Sequence, residues 1–166
     1  MEIQYRKALP EDLEAVCRMV EDAKAVMIQN GIYQWNEYYP VREDFREDIE
    51  KDQLYVGVWE AQIAVIYVLN EITNPEYENG RWEHDDQPYR VVHRLCVNPA
   101  FQRQGVAGKT LLHVEEQLIH RNIHAIRLDT FSQNPYALKL YANLGYRHVG
   151  DVEWPNGVFY LMEKYF

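Results

Sequence analysis

Gln102 to Thr110 read QRQGVAGKT, a stretch that could form any of three kinds of loop. Its Gly-Lys-Thr end is shared with the phosphate loop of nucleotide hydrolases, whose pattern is Gly-x-x-x-x-Gly-Lys-Ser/Thr. Arg103 stands where that pattern requires its first glycine, and the available glycine, Gly105, is too close to Gly108. The spacing therefore argues against a nucleotide hydrolase loop and leaves a cradle for another diphosphate or the plain start of a helix.

Composition predicts one globular domain over residues 1–166 and a cytoplasmic location. Hydrophobic residues make up 47% of the chain and aromatic residues 13%, which is typical of a folded protein. The formal net charge is −9, and a surface of that sign repels nucleic acids and anionic lipid membranes, so neither is an expected partner. No secretory signal is visible, and the longest apolar run, Ile63 to Leu69, is too short to cross a membrane. Cys17 and Cys96 form no metal-binding or redox motif.

The order of hydrophobic patterns predicts an α/β fold of the α+β type. The first half reads as a short strand, a helix ending at Gly31, a polar helix, two strands with a turn near residues 60–62, and a long exposed loop over 71–89. The second half alternates strand, helix, strand and helix, which is typical of an α/β sheet. Two closing strands about the turn at residues 155–157 would run antiparallel and make the sheet mixed.

The loop QRQGVAG leads into a helix that is predicted to begin near Val106. The first turn of a helix presents unpaired N–H groups and the positive end of the helix dipole, which together bind a diphosphate. Gly105 and Gly108 allow a ligand to approach the backbone, and Arg103 and Lys109 add positive charge. Small residues at a helix start also allow close packing against a strand, so the loop alone favours neither interpretation.

Two motifs in the second half resemble those of a known superfamily. Gln102 to Ala107 fits the pattern Gln/Arg-x-x-Gly-x-Gly/Ala. Asn134 to Tyr146 fits the pattern Asn-x-x-Ala-x-x-Leu-Tyr-x-x-x-Gly-Phe/Tyr, with a tyrosine where phenylalanine is commoner. In this order, on a strand–loop–helix–strand–helix frame, they resemble the acetyl-coenzyme A site of the GNAT superfamily of N-acetyltransferases. The resemblance covers about residues 90 to 150 in detail.

The resemblance implies a single domain with a mixed, splayed central sheet flanked by helices. Acetyl-coenzyme A would be the co-substrate, lodged between two parting central strands. The backbone of Leu95, Cys96 and Val97 would pair with the pantetheine arm, whose amides suit main-chain pairing, and Asn134 would bond the arm near the thioester. The residues implied for the pyrophosphate are Arg103, Gln104, Gly105, Val106, Ala107 and Gly108.

Acetyl transfer to an amine needs a neutral amine and a protonated leaving thiolate. Tyr141 matches the position where the family places a tyrosine near the coenzyme sulfur, so the resemblance implies a general acid. Packing in an apolar helix stripe is the alternative for this tyrosine. Asp129 corresponds to a glutamate of related ribosomal-protein alanine acetyltransferases and is the first candidate for the base. Glu71 and His93 are rivals, and a pocket that lowers the pKa of the amine itself would need no base.

Two further features are open to more than one interpretation. The aromatic residues between Gly31 and Pro40 lie in a link that borders the acceptor pocket in this superfamily, where they could bind a cation or simply cover the core. His113, His120 and His124 show no tight ligand set, so we expect solvated histidines and no metal.

The sequence therefore predicts an acetyl-coenzyme A-dependent N-acetyltransferase that acts by direct transfer on a primary amine of a small molecule or a peptide. The alternative is a non-catalytic module that binds acyl-coenzyme A as a sensor or scaffold. Both functions need Gln102 to Gly108, and only the enzyme needs Tyr141. The exposed closing strand pair also suggests a homodimer.

Overall fold

Seven strands and four α-helices follow one another in the predicted order. The computed structural model describes residues 1–166. The elements are β1 Gln4–Lys7, α1 Leu13–Gln29, α2 Arg42–Glu50, β2 Leu54–Trp59, β3 Gln62–Asn70, β4 Arg90–Val97, α3 Val106–His120, β5 Ala125–Phe131, α4 Pro135–Asn143, β6 Arg147–Trp154 and β7 Gly157–Tyr165. Short 3₁₀ helices lie at Pro10–Asp12, Pro75–Asn79 and Pro99–Phe101. No helix is both long and apolar enough to span a membrane.

The strands form one mixed sheet in the order β1-β2-β3-β4-β5-β7-β6. The pairs β1–β2, β2–β3, β5–β7 and β6–β7 are antiparallel, and β4–β5 is parallel. Pairing between β4 and β5 is confined to Arg90 with Ile126 and Val91 with Arg127, at the start of both strands. The predicted fold class, a mixed sheet whose central strands pair over a short distance and which is flanked by helices, is confirmed.

The contacts group the chain into two compact units, and the first comprises residues 1–69 and 94–110. Its main core lies among α1, α2, β2 and β3. Alternate residues of each strand face the helices because successive side chains point to opposite faces of a sheet. Residues of this core with almost no exposed surface are Val16, Val20, Phe45, Leu54, Val56, Ile66 and Val68.

The second unit comprises residues 70–93 and 111–166. Here β5, β7 and β6 form an antiparallel ribbon, and segment 70–89 packs on one of its faces. The prediction of a wholly exposed loop over 71–89 is wrong, because Tyr77 is only 3% exposed and joins a core with Val152 and Leu161. Pro75 begins a 3₁₀ helix that carries Tyr77, and the Trp82 indole Nε1 donates to the Tyr77 carbonyl at 2.8 Å. These contacts fold a charged, turn-rich segment onto the sheet.

Candidate active site

Two residues of the loop before α3 have a left-handed backbone conformation. Arg103 and Gly105 have φ of 65° and 73°, in the left-handed region that favours glycine. The Gly105 carbonyl accepts from the Lys109 N–H at 3.1 Å, so the helix begins there. The N–H groups of Val106, Ala107 and Gly108 belong to its first turn, where no carbonyl one turn earlier is available to accept them. The loop thus ends in a cluster of directed donors.

Buried residues at both ends hold this loop. Phe101 and Val106 are buried in a small cluster with Ala64 and Val65 of β3. Residues 102–105 between them are exposed, and a side chain at Gly105 would meet no atom within 4 Å. The backbone donors are therefore anchored, while the surface above Gly105 is open to a ligand.

The three β4 residues predicted to pair with a pantetheine arm differ in burial. Leu95 and Val97 are half-buried and pack beside the cluster of Ala64 and Val65, whereas Cys96 is buried in the main core of the first unit. Burial raises the pKa of the Cys96 thiol to about 12, so the thiol stays protonated and unreactive. The predicted pairing of the backbone of Leu95, Cys96 and Val97 with the pantetheine arm stays a prediction.

In the second unit, Asp129 of β5 accepts a hydrogen bond from the Tyr77 hydroxyl, with 2.6 Å between the phenolic oxygen and Oδ2. Burial raises the pKa of the Asp129 carboxyl, and the bond from Tyr77 opposes that rise. A carboxylate with a raised pKa is a better proton acceptor than an exposed one. Tyr77 is 52 residues from Asp129, so the sequence alone does not predict this contact. The local signal for it is an aromatic residue in a charged segment.

Tyr141 of α4 is 7% exposed, and its ring packs edge-on against Tyr146 with 5.5 Å between the ring centroids. Burial raises the pKa of the Tyr141 phenol, and the negative charge of Asp129 raises it further. The phenol therefore stays protonated at neutral pH, which is the form that a proton donor requires.

Tyr146 belongs to a buried polar network behind Tyr141. Its hydroxyl donates to Glu115 Oε2 at 3.1 Å, and the Lys164 ammonium donates to Glu115 Oε1 at 2.7 Å. Burial, followed by the charge of Glu115, raises the pKa of Tyr146 well above its usual range. The network fixes the ring against which Tyr141 packs.

The two rival bases have other partners. The Glu71 carboxylate is 70% exposed and lies 3.0 Å from the Arg90 guanidinium, as a surface ion pair. The His93 Nε2 is 2.9 Å from the Asn70 side-chain oxygen and 3.0 Å from the Ile72 carbonyl oxygen. Two oxygen neighbours favour the tautomer or charge state in which Nε2 carries a proton, so this nitrogen is a poor proton acceptor.

Asn134 is the N-cap of α4. Its side-chain oxygen accepts from the Ala137 N–H at 3.1 Å, which satisfies one of the unpaired donors of the first turn. This bond fixes the orientation of the amide at the carboxyl end of β5. The predicted contact of Asn134 with the coenzyme stays a prediction.

The aromatic link between α1 and α2 is divided between core and surface. Trp35 is buried, whereas Tyr33, Tyr38 and Tyr39 are exposed. Arg94 of β4 has a φ of 51°. Its Nη1 lies 2.8 Å from Asp48 Oδ2, and its guanidinium carbon lies 5.4 Å from the Tyr39 ring centroid. Trp35 thus covers the core, and a role of the exposed tyrosines at an acceptor pocket stays a prediction. No group of three or more histidine, cysteine, aspartate or glutamate side chains is arranged to hold a metal ion.

The sequence profile of the acetyltransferase (GNAT) family matches residues 28–146, a span that includes the loop before α3 and the Asn134–Tyr146 motif. The chain belongs to this family. The expected superfamily is thereby confirmed, and the strand–loop–helix frame described above is the one on which the resemblance depended.

Individual relatives agree with the family assignment. The uncharacterised N-acetyltransferase YesJ of Bacillus subtilis is 23% identical over 146 residues, which cover 86% of this chain and 81% of YesJ. A crystal structure of a GNAT-family acetyltransferase from Streptococcus agalactiae has a TM-score of 0.87 and 25% identity. The match covers 99% of this chain and 95% of the Streptococcus agalactiae chain. The PaiA N-acetyltransferase of Thermoplasma acidophilum, solved in complex with coenzyme A, has a TM-score of 0.73 at 18% identity and covers 100% of both chains. At that identity the last comparison supports the fold alone.

Proposed function

We propose that this chain transfers an acetyl group from acetyl-coenzyme A to a primary amine, with Asp129 as the base and Tyr141 as the acid. The hydrogen bond between the Tyr77 hydroxyl and the Asp129 carboxylate carries the proposal, and the charge of Asp129 contributes to the raised pKa of the buried Tyr141 phenol. A half-buried carboxylate with a raised pKa can serve as the base, and a phenol that stays protonated can serve as the acid, in amide formation from a thioester.

The donor side of the proposal rests mainly on residues of the first unit. The exposed turn at Arg103 to Gly105 and the first-turn N–H groups of α3 suit a pyrophosphate, because they combine directed donors with the positive end of the helix dipole. We assign the pyrophosphate to residues 103–108, and the pantetheine arm to the backbone of 95–97 and to Asn134. Acetyl-coenzyme A supplies the reactive thioester when it is bound.

The chemical step needs two proton transfers. Asp129 Oδ1 takes a proton from the amine nitrogen as the new C–N bond forms. Tyr141 gives its hydroxyl proton to the departing sulfur as the C–S bond breaks. Both side chains regain their starting states by exchange with water, so the reaction releases an acetamide and a free thiol with no net change in the protein. The acceptor is a primary amine of a small molecule or a peptide.

We further propose that residues 1–166 act as one catalytic domain, since the family match at residues 28–146 includes parts of both compact units.

Coenzyme A should raise the melting temperature of the chain. At a ligand concentration of about 100 times Kd, the folded state gains about 2.7 kcal/mol by mass action. Adenosine, which lacks the pyrophosphate, should give a much smaller effect, and an equal effect would contradict the assignment of the loop.

The test of the activity is release of free thiol from acetyl-coenzyme A over a panel of primary amines. The wild-type protein should turn over at least one acceptor, and Asp129→Asn should lose most of its rate below neutral pH, with partial recovery as the pH rises and the amine deprotonates by itself. Tight coenzyme binding without turnover of any amine would overturn the proposal and indicate a non-catalytic coenzyme-binding module.

A further inference from the structure

A solvent-open cavity of about 380 Å³ lies in the second unit between segment 73–85 and β5. Its volume falls within the range of small-molecule sites in proteins. Tyr77, Trp82 and Arg127 contribute to its wall, and the exposed residues Glu78 and Asp85 also line it. The reaction described above makes no use of this cavity.

Arg127 is the unusual member of the wall because it is charged and only 5% exposed. Its guanidinium carbon lies 4.4 Å from the Trp82 ring centroid and 3.9 Å from that of Tyr89, so two aromatic faces hold it. Its one carboxylate partner is Asp85, at 3.1 Å, whose side chain is 80% exposed. Water screens an exposed carboxylate, so Asp85 compensates the buried charge of Arg127 weakly.

The buried Nε of Arg127 also has no hydrogen-bond partner. An unpaired buried N–H is unfavourable, and in native structures such groups commonly belong to functional sites. A guanidinium is a donor only, with a planar fork that suits carbonyl and carboxylate oxygens. The missing partner is therefore an oxygen acceptor.

Tyr77 links the cavity to the proposed base, which does not itself line the cavity. Arg127 and Asp129 are two positions apart on β5 and point to the same face, at a spacing of about 6.6 Å along the strand. Tyr77 connects the two, since its ring lines the cavity and its hydroxyl bonds Asp129. An acceptor that reaches Asp129 with its amine can thus present a neighbouring oxygen to Arg127.

We propose that this cavity is the acceptor subsite and that Arg127 binds an oxygen on the carbon next to the amine-bearing carbon of the acceptor. The acceptor class is then an α-amino amide or α-amino acid, and an α-amino amide is also the amino-terminal residue of a peptide. Glu78 and Asp85 attract a cationic amine and disfavour a free carboxylate, so the amide is the preferred form. The assignment rests on the proposed function in naming the amine as the acetylated group.

The kinetic test compares three acceptors that share a skeleton: alaninamide, alanine and isopropylamine. For each, kcat/KM of wild type is divided by that of Arg127→Met, which cancels the intrinsic reactivity of the amine. Methionine keeps an unbranched side chain between the two rings and removes every donor. The ratio should be about 10 or more for alaninamide, through KM, and near 1 for isopropylamine. Alanine carries a carboxylate where alaninamide carries an amide, so its ratio shows how strongly Arg127 acts on the carboxylate compared with the amide. Arg147→Met, at an exposed arginine that pairs with Glu83, is the matched control and should leave all three ratios near 1.

A binding measurement keeps the test independent of turnover and of the folding of the variant. In wild-type protein, the indole N–H resonance of Trp82, assigned with Trp82→Phe, should shift on titration with alaninamide and stay in place with isopropylamine. This shift would support the cavity even if no amine were acetylated, which would contradict the proposed function alone. Equal kinetic losses for alaninamide and isopropylamine, an unaffected Arg127→Met, or an indole resonance that ignores alaninamide would each overturn the subsite.

Discussion

Replacing Tyr77 by phenylalanine removes one hydroxyl from the second unit and leaves the ring that packs on Trp82. Asp129 loses the hydrogen bond that the Tyr77 hydroxyl donates to its carboxylate. That bond favours the charged form of the carboxyl and lowers its pKa against the effect of burial. The pKa of Asp129 should therefore be higher in the variant than in the wild type.

The size of the effect follows from the kind of bond. A hydrogen bond to a charged group contributes about 1.5–3 kcal/mol, and one pKa unit corresponds to about 1.4 kcal/mol. The pKa of Asp129 should rise by about one to two units in Tyr77→Phe. Because the carboxylate is the working form of the base, the acidic limb of kcat/KM should move to higher pH by the same amount. The loss of rate is thus largest at low pH.

The assay is the pH profile of kcat/KM for acetyl transfer, together with a carbon-13 NMR titration of the Asp129 carboxyl that needs no turnover. Tyr160→Phe is the matched control, because Tyr160 of β7 lies opposite Thr130 of β5, so its side chain points to the other face of the sheet from Asp129. Its ring stacks on His148 with 4.1 Å between ring centroids. It should leave the limb unchanged. A limb that stays in place in Tyr77→Phe, with the fold intact by circular dichroism, would refute the idea that this hydrogen bond tunes the base.

Three further substitutions test other parts of the site. Gly105→Val should weaken coenzyme A binding at least tenfold by calorimetry. Gly31→Val is the control, because Gly31 has the same φ of 73° and equally open surroundings. It carries the same backbone penalty of about 1–2 kcal/mol and should leave coenzyme binding intact. Tyr141→Phe should lower kcat about 100-fold with little change in stability or in the KM for either substrate, and wild-type turnover would assign Tyr141 to packing alone. Lys164→Met should lower the free energy of unfolding in urea by about 3–5 kcal/mol, because buried Glu115 loses its cationic partner; a loss below about 1 kcal/mol would contradict a role for this pair in stability.

The second half of the fold was predictable because each element leaves a local signal. Val106 begins α3 where the small-residue loop ends, and α4 begins at Pro135 directly after its capping residue Asn134. Both starts follow from rules that involve only neighbouring residues. The parallel pairing of β4 with β5 likewise follows from a strand–helix–strand order.

Segment 71–89 was not predictable by the same means. A 3₁₀ helix of five residues, Pro75–Asn79, is too short to show a hydrophobic period, and the surrounding charges are typical of an exposed loop. The burial of Tyr77 depends on contacts with β5 and β7, which no local pattern encodes. The partner of Asp129 and the surroundings of Arg127 could therefore not be predicted from the sequence, although Asp129 itself was a candidate for the base.

The proposed acid and base are coupled in a way that suits a single reaction. While Asp129 is a carboxylate, its negative charge helps to keep the pKa of Tyr141 high, so the phenol holds its proton before the amine arrives. When Asp129 takes the amine proton it becomes neutral, and this part of the effect on Tyr141 disappears. The pKa of the phenol then falls toward the value set by burial alone, and Tyr141 becomes a stronger acid as the thiolate departs. Proton uptake at Asp129 is thereby expected to favour proton release at Tyr141.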